Sequence, residues 1–522
     1  NEARDNFVLY PLDTVDVDTI VLPRVASRFL IYLEYETSNP NIIDLNGNVK
    51  RTDKEQTVDI KVKFNLEGES VEKTYTLKVA PKSQASPIVT LDDARILKKI
   101  SVKDSVELIA AVNKAQPGDA IILEDGKYRN LNLTVTKSGT KDNPIFIMAR
   151  NAGKASIEGE SSLYVKANHV VVANLLFTNG HPSIDKGVVV LEGDYLRFTN
   201  SRIDNFQLKG NDYKWVSLTG QFHEIDRNIF TNKETGGSLL TIWRNDNSPN
   251  YHHIYLNQFK NYKDGGGLNG YETIRVGTSD NSQSDSYVTI ENNLFEDVNG
   301  EIEIISIKAG RTIVQGNTFT RCMGMITSRH GKNNVIQNNV VFANGVKDTG
   351  GIRAYDGGHV IRNNYIEKVD TSSNTRGPIV IHSGNSVPGE TTVLNSQWTP
   401  YNVLVENNTI VDSTYAIFFC GKYNYSAKDV ILKNNLIVSK LNESAIRFDK
   451  APANPTYINN RVYASRLTDT RGNVQLDSID GVTYSSTLPN ITPNEQGLKL
   501  QAGIGAQNLT VYTEANCGTT WR

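Results

Sequence analysis

Cysteine, net charge and helix are all scarce in this chain of 522 residues. Only Cys322, Cys420 and Cys517 occur, far apart and odd in number, so neither a disulfide framework nor a zinc spacing can be read from them. Cys322, in an apolar strand register, reads as a buried small hydrophobe. A formal net charge of −2 with 21% charged residues excludes bulk attraction to nucleic acid or to an anionic membrane. Any site for a polyanion must therefore be local. No run approaches the roughly 18–20 apolar residues needed to span a bilayer. The chain opens on Asn1, and the expected location is secreted, periplasmic or outer-membrane-associated, with the signal segment not present in this chain. One compact core does not suit this length, which leaves several domains or a repeat that grows along an axis.

Both are expected. Residues 1–90 form a separate β domain: segments 20–23, 29–33, 58–64 and 74–79 alternate apolar with polar residues, and turn residues at 38–41 and 46–48 separate them. About seven short strands without a helix predict a small immunoglobulin-like β-sandwich. It carries no catalytic cluster and reads as a spacer or a stabilising docking domain. Segment 80–87, with two prolines and two serines, is the linker. The one good helix follows, capped by Asp104 with Glu107 at the third helical position, and with Val106, Ile109, Ala110, Val112 and Ala115 as its apolar stripe. Standing before a long β region, it is expected to plug the open end of a solenoid.

From there to residue 522 the sequence repeats. An asparagine followed two residues later by a bulky apolar residue recurs at Asn174, Asn200, Asn228, Asn257, Asn293, Asn317, Asn339, Asn364, Asn408 and Asn435, with intervals of 26, 28, 29, 36, 24, 22, 25, 44 and 27 residues. Short β segments at such a period predict a right-handed parallel β-helix over residues 91–522. Asparagine suits its corners by tolerating left-handed backbone and by bonding its amide to the asparagine one rung above. The long intervals mark loops thrown out of the solenoid, where a repeat fold builds binding walls.

The polar outliers cluster on four consecutive rungs, on the segment after each ladder asparagine. They are Asn269, Glu301, Glu303, Lys308, Arg329 and Arg353. Rungs lie about 4.8 Å apart, so the patch spans roughly 15 Å, enough for a linear polymer of about three sugar units. In an extended strand Glu301 and Glu303 share a face. They form either a site for a cation or a pair that merely neutralises Lys308 and Arg329 on a solvated face. With oxygen ligands only, and no histidine or cysteine at metal spacing, the cation reading favours calcium over zinc. A period in the low twenties would stack Lys308, Arg329 and Arg353 in a column. Neighbouring positive charge would lower the lysine's pKa and free it to act as a base.

The run Asn269 to Arg275, the Glu-Xaa-Glu with a lysine five residues on, and Arg329-His330-Gly331 resemble polysaccharide lyase family six, the alginate lyase and chondroitinase B family. The resemblance covers the β-helix from about residue 96 to at least 370. It implies cleavage of a uronate polymer by β-elimination, commonly with calcium. Asn269, Glu301 and Glu303 would be the Ca2+ ligands, Lys308 the base and Arg329 the acid. Glu272, Arg275, His330 and Arg353 would contact substrate. Lys308 is followed by alanine where the family pattern has serine, and the N-terminal sandwich is no part of that pattern.

Other positions have two readings. Tyr355 either stacks on a sugar ring or shields the groove, and Trp215, Trp243, Lys214 and Arg244 could extend its walls. His252, His253 and His359 read as structural. The expected substrate is an anionic polysaccharide, alginate, with no nucleic acid partner. The rivals are a dermatan sulfate lyase, a β-helix glycoside hydrolase using Glu301 and Glu303, and a non-catalytic carbohydrate-binding solenoid.

Overall fold

The computed structural model describes residues 1–26, 30–83, 86–439, 444–469, 476–487 and 504–522. Phe29 of the expected second strand and Gln84 and Ala85 of the expected linker lie outside the described residues. The solenoid is there: three parallel sheets of 14, 13 and 14 strands run side by side, each strand paired with its counterparts one turn before and after. The molecule is a right-handed parallel β-helix with a three-sided section. For reference, the turn through Asn293 contributes Leu294–Val298 to a ladder face, Glu303–Lys308 to a groove face and Ile313–Gln315 to a domain face.

Short strands suit this plan because each buries one row of side chains in a shared interior and leaves the alternate row outside. On the ladder face Phe230, Phe259, Phe295 and Phe319 stack inside, with ring centres 5.2, 4.8 and 4.5 Å apart. At the preceding corner Asn228 donates its backbone N–H and its Nδ2 to the Oδ1 of Asn257, both at 3.0 Å. The same two-point bond links Asn257, Asn293, Asn317, Asn339, Asn364, Asn408, Asn435 and Asn460 in turn. All nine amides are buried. The left-handed backbone belongs to the residue before: Asn292, Asn338, Asn363, Asn407 and Asn434 have φ of 57, 58, 52, 54 and 53°. Two neighbouring asparagines thus divide the tasks, one bending the chain and the next carrying the rail.

Asn174 and Asn200 are themselves the left-handed residues, at φ 67 and 49°. On those rungs the inward place falls to Leu175 and Ser201, with Ser201 N–H donating to Asn228 Oδ1 at 3.0 Å. The expected series is therefore one residue out of register there, and Asn460 extends it at the far end.

Helix Ser105–Asn113 packs on strands Lys98–Val102, Asp119–Leu123 and Asn132–Val135 and closes the first turn. Asp104 caps it by accepting from the N–H groups of Val106 and Glu107, each at 2.9 Å. Glu107 reaches back to Lys103 N–H at 3.0 Å, one residue before the position a capping box would use. The buried stripe is Leu108, Val112 and Ala115, while Val106 is 77% exposed. Val106 and Ile109 had seemed apolar enough for the core, but Leu108 is the residue aligned with Val112 and Ala115 at helical spacing.

The N-terminal domain is a small β-sandwich. Its regular layer is a four-stranded sheet of Thr14–Val15, Glu69–Val79, Gln56–Leu66 and Tyr32–Thr37, in that spatial order. The opposing layer is made of segments joined by single bridges, such as Ile43 to Val49. Phe7, Ile20, Ile43, Val58, Ile60 and Val79 share the core between them. A short helix, Glu2–Asn6, precedes the sheet.

Each end of the chain covers one side of the prism. Val21 of the N-terminal domain packs on Ile313, Val335 and Val360 of the domain face. Val89, Leu91 and Ile96 cover the earliest rungs of the same face. On the ladder face Ile504, Ala506 and Leu509 of the C-terminal segment bury Val340, Tyr365, Val411 and Leu436. Among the described residues neither end lies along the middle of the groove face.

Candidate active site

On the groove face the outward residues of successive strands Leu240–Ile242, Ile274–Val276, Glu303–Lys308, Met325–His330 and Ile352–Ala354 stand in register as Thr241, Arg275, Ser306, Thr327 and Arg353. The register between Glu303–Lys308 and Met325–His330 shifts twice. In the first shift Ile304 is the extra residue, and both Ile304 and Ile305 enter the core. In the second, Lys308 pairs with His330 and Arg329 is the extra residue. Bulges of this kind re-aim side chains. The expected column of Lys308, Arg329 and Arg353 is therefore not formed: Arg353 belongs to the column of Ser306, Arg329 stands out of the pairing, and Lys308 faces His330. Glu301 lies in the bend before its strand, so its approach to Glu303 comes from that bend and not from strand alternation.

Three carboxylates meet at this end of the groove. Glu303 is neutralised, accepting from Arg353 Nη2 and from Ser306 Oγ, each at 2.5 Å. Glu301 is not. Burial, then the charges of Glu272 and Glu303, push its carboxyl up to about 8, with Lys308 and Arg353 offsetting part of the rise. Glu301 Oε1 and Glu272 Oε2 are buried without a hydrogen-bond partner, and Glu272 is only 2% exposed. Such orphaned acceptors cost about 1–3 kcal/mol each unless something meets them.

Opposite stand cations in the same condition. Arg275 Nε, Arg329 Nη1 and Arg353 Nε are buried without partners, as are both ring nitrogens of His330. Burial, then the charges of Arg329 and Lys308, hold the His330 imidazole down to about 3, so it is neutral near pH 7. The Tyr355 ring, 4% exposed, carries the guanidinium groups of Arg329 and Arg353 at 5.3 and 5.5 Å from its centre. Behind it His382 stacks at 4.5 Å. One turn before Arg275, the Trp243 ring has that guanidinium at 5.0 Å and the Lys214 ammonium at 5.6 Å from its centre.

Of the residues singled out from sequence, Glu272, Glu301, Glu303, Lys308, Arg329, His330, Arg353 and Tyr355 come together here, and Arg275 joins them as the register neighbour of Ser306. Asn269 stands exposed in the loop leading into Ile274–Val276. Trp215 is fully buried in the solenoid core and cannot line a wall. Arg244, 3% exposed, is occupied with Asn250 Oδ1 and Ser284 Oγ, at 2.5 and 2.6 Å. The remaining histidines are structural: His252 stacks on His223 at 4.5 Å, His253 bonds Glu291 at 2.7 Å and His359 bonds the Tyr355 carbonyl at 2.6 Å.

Two participants escaped the sequence reading. Ser306 was visible as the outward residue between Ile305 and Ile307. His382 follows Ile379–Ile381 as Tyr355 follows Ile352–Ala354, so counting one rung further would have found it.

Among the described residues no three histidine, cysteine, aspartate or glutamate side chains are grouped to hold a metal by themselves. The orphaned oxygens of Glu272 and Glu301, beside the raised Glu301 carboxyl, nevertheless fit a hard cation whose remaining ligands are amide or water oxygens. A bound cation would offset both the burial and the repulsion from Glu272 and Glu303 that raise Glu301.

The model of the Chondroitinase B family matches residues 102–520. Among solved structures, a PL6 alginate lyase in complex with a trisaccharide is 28% identical, with a TM-score of 0.71 over 82% of this chain and 96% of its own. The alginate lyase AlyF-OU02 is 29% identical, with a TM-score of 0.72 over 82% of this chain and 96% of its own. A mannuronic acid specific family 6 lyase from human gut microbiota is 28% identical, with a TM-score of 0.68 over 76% and 92% of the two chains. No curated protein sequence matches the chain.

Proposed function

We propose that this chain, which belongs to the chondroitinase B family of polysaccharide lyases, family six, cleaves a 1,4-linked uronate polymer, alginate, by calcium-assisted β-elimination. The observation that carries the reading is Lys308 paired with His330, with Arg329 bulged out beside them, next to a cluster of half-neutralised carboxylates. Alginate is favoured because two of the similar solved structures are alginate lyases matched over 96% of their length and a third is a mannuronic acid specific lyase. A polymer substrate is met outside the cytoplasm, so a secreted, periplasmic or outer-membrane-associated location goes with this reading.

The chemistry follows from the side chains. The proton on C5 of a uronate is barely acidic while the neighbouring carboxylate keeps its charge, because its loss builds a dianion. Arg353 and Arg275, each with a buried Nε–H that has no partner, would bind that carboxylate, and neutral His330 would offer a further hydrogen bond. Glu301 and Glu272, whose buried oxygens lack partners, would hold calcium, with Glu303 and Asn269 as the further ligands that the family resemblance implies, and when bound it would supply positive charge beside the substrate carboxylate. Lys308 takes the C5 proton on its amine nitrogen. The C4–O4 bond then breaks, the electron pair forms the C4–C5 double bond, and O4 leaves with a proton from Arg329 or from water it orients. The Tyr355 ring holds Arg329 and Arg353 at fixed spacing while this happens.

The test is ultraviolet absorbance of unsaturated uronate from alginate, with and without a chelator. A rise that the chelator suppresses supports both the lyase and the cation. A rise that ignores the chelator keeps the lyase and removes calcium from the reading. No rise on alginate but a rise on dermatan sulfate would move the substrate to the one that the family's name suggests.

A further inference from the structure

We propose that the N-terminal domain is a clamp on the two catalytic turns, with Arg311 and Asn333 as positioning residues; this rests on the lyase reading above. The family match begins at residue 102, so the clamp lies outside the matched region.

The turn after Lys308 ends at Arg311 and the turn after Arg329 ends at Asn333, and both residues sit at the corner between groove face and domain face. Corner residues of successive rungs all take left-handed backbone: His169, Tyr195, Phe222, Tyr251, Tyr287, Arg311, Asn333, Gly358, Asn402 and Asp429. Their chemistry changes partway along. From His169 to Tyr287 they are rings stacked on one another at 4.9, 4.7, 4.7 and 5.4 Å, a self-supporting pile. From Arg311 onward the rings stop, and at Arg311, Asn333, Asn402 and Asp429 hydrogen-bonding side chains reach into the N-terminal domain.

Arg311 donates to the carbonyls of Leu9 and Val8, each at 2.8 Å, and lies 5.4 Å from the centre of the Phe7 ring. Asn333 Oδ1 accepts from the backbone N–H of Arg24 at 2.9 Å and of Val25 at 3.1 Å, and its Nδ2 donates to the Val25 carbonyl at 2.9 Å. Further along, Asn402 accepts from Arg24 Nη2 at 2.6 Å and Asp429 accepts from the Tyr32 hydroxyl. The switch from stacked rings to docked side chains falls on the rung of Lys308. Arg311 and Asn333 are three and four residues beyond Lys308 and Arg329. A turn this short transmits a shift of its end to the side chain at its start, and displacements of this scale matter near reacting atoms.

The test compares two substitutions in the full chain. Asn333→Gly keeps the left-handed backbone and removes all three bonds to the domain. It should lower kcat for unsaturated uronate release about tenfold or more with KM little changed, and speed amide exchange across residues 329–333. Asn402→Gly removes docking bonds of the same kind two corner positions further on. It should lower the unfolding midpoint while leaving kcat and exchange at 329–333 as in the unaltered chain. Equal kcat losses in the two variants, or unchanged exchange at 329–333 in Asn333→Gly, would overturn the clamp. An unaltered chain that releases no unsaturated uronate from any polymer refutes the lyase reading instead, and the exchange comparison still decides the clamp.

Discussion

The three sides of the prism carry similar backbone and different conditions for their polar groups. On the ladder and domain faces the chain's own ends supply partners: Tyr512 N–H bonds Thr318 Oγ1 at 2.8 Å, Ala506 N–H bonds Thr409 Oγ1 at 2.8 Å, and Arg362 bonds Asn46 Oδ1 at 2.7 Å. On the groove face Glu272, Arg275, Glu301, Thr327, Arg329, His330 and Arg353 each keep a buried polar atom without a partner. A native structure leaves few such atoms, and those it leaves concentrate where a ligand is to arrive. The difference teaches where to look in a solenoid: the working face is the one its own termini do not cover.

The contrast can be broken first at its centre. Lys308→Ala should lower kcat on alginate about 10²-fold or more, the contribution of a positioned general base, with an unaltered unfolding midpoint. Residual turnover above about a tenth would remove Lys308 from that role. The covered side should behave oppositely. Leu509→Ala, which trims a buried side chain where the C-terminal segment meets the ladder face, should cost about 2 kcal/mol or more of stability. Turnover per folded molecule should stay constant; a fall in kcat would show that the covered face feeds the site.

A third test is one of pH. The Glu301 carboxyl is pushed up to about 8, whereas in the unfolded chain it titrates at about 4.3. Between these values the folded state holds a proton that the unfolded state has released. Stability from this group is therefore present below about pH 4.3 and is lost as pH rises through about 8. In chelator the thermal midpoint should fall across that window. Glu301→Gln should flatten the fall, and added calcium, which binds the ionised form, should flatten it too. A midpoint independent of pH in the unaltered chain would show that the cluster is already compensated.

Much of this was legible in the sequence because the repeat imposes its own ruler. One rail of nine asparagines, joined by a single hydrogen-bond pattern, leaves its mark in the text rung by rung, and the outliers counted from it fall on one face. Local exceptions to the ruler were not legible. Bulges at Ile304 and Arg329 add residues without changing the period, so the column built by counting alone placed Arg329 above Lys308, where His330 stands. The left-handed corner was read one residue late because Asn-Asn pairs hide which member bends. Val106 was read as buried because apolar character says nothing of which way a short helix faces. The docking of the N-terminal domain left no periodic trace, only single residues such as Arg311 and Asn333 that look ordinary until their partners are seen.

The asparagine rail has a consequence for how such a protein changes over time. Asn317 and Asn339 are 22 residues apart, Asn257 and Asn293 36, and Asn364 and Asn408 44, yet the amide bond across each interval measures 3.0, 3.0 and 2.9 Å. Length added between rungs leaves the frame untouched, since the entropy of closing a loop grows only slowly with its size. The extra residues of the long intervals emerge beside the groove, in the loops around Ile274–Val276 and Ile379–Ile381. Frame and groove walls can therefore be inherited separately: one lineage could rewrite what it recognises while passing on, unchanged, the scaffold that holds the reacting groups.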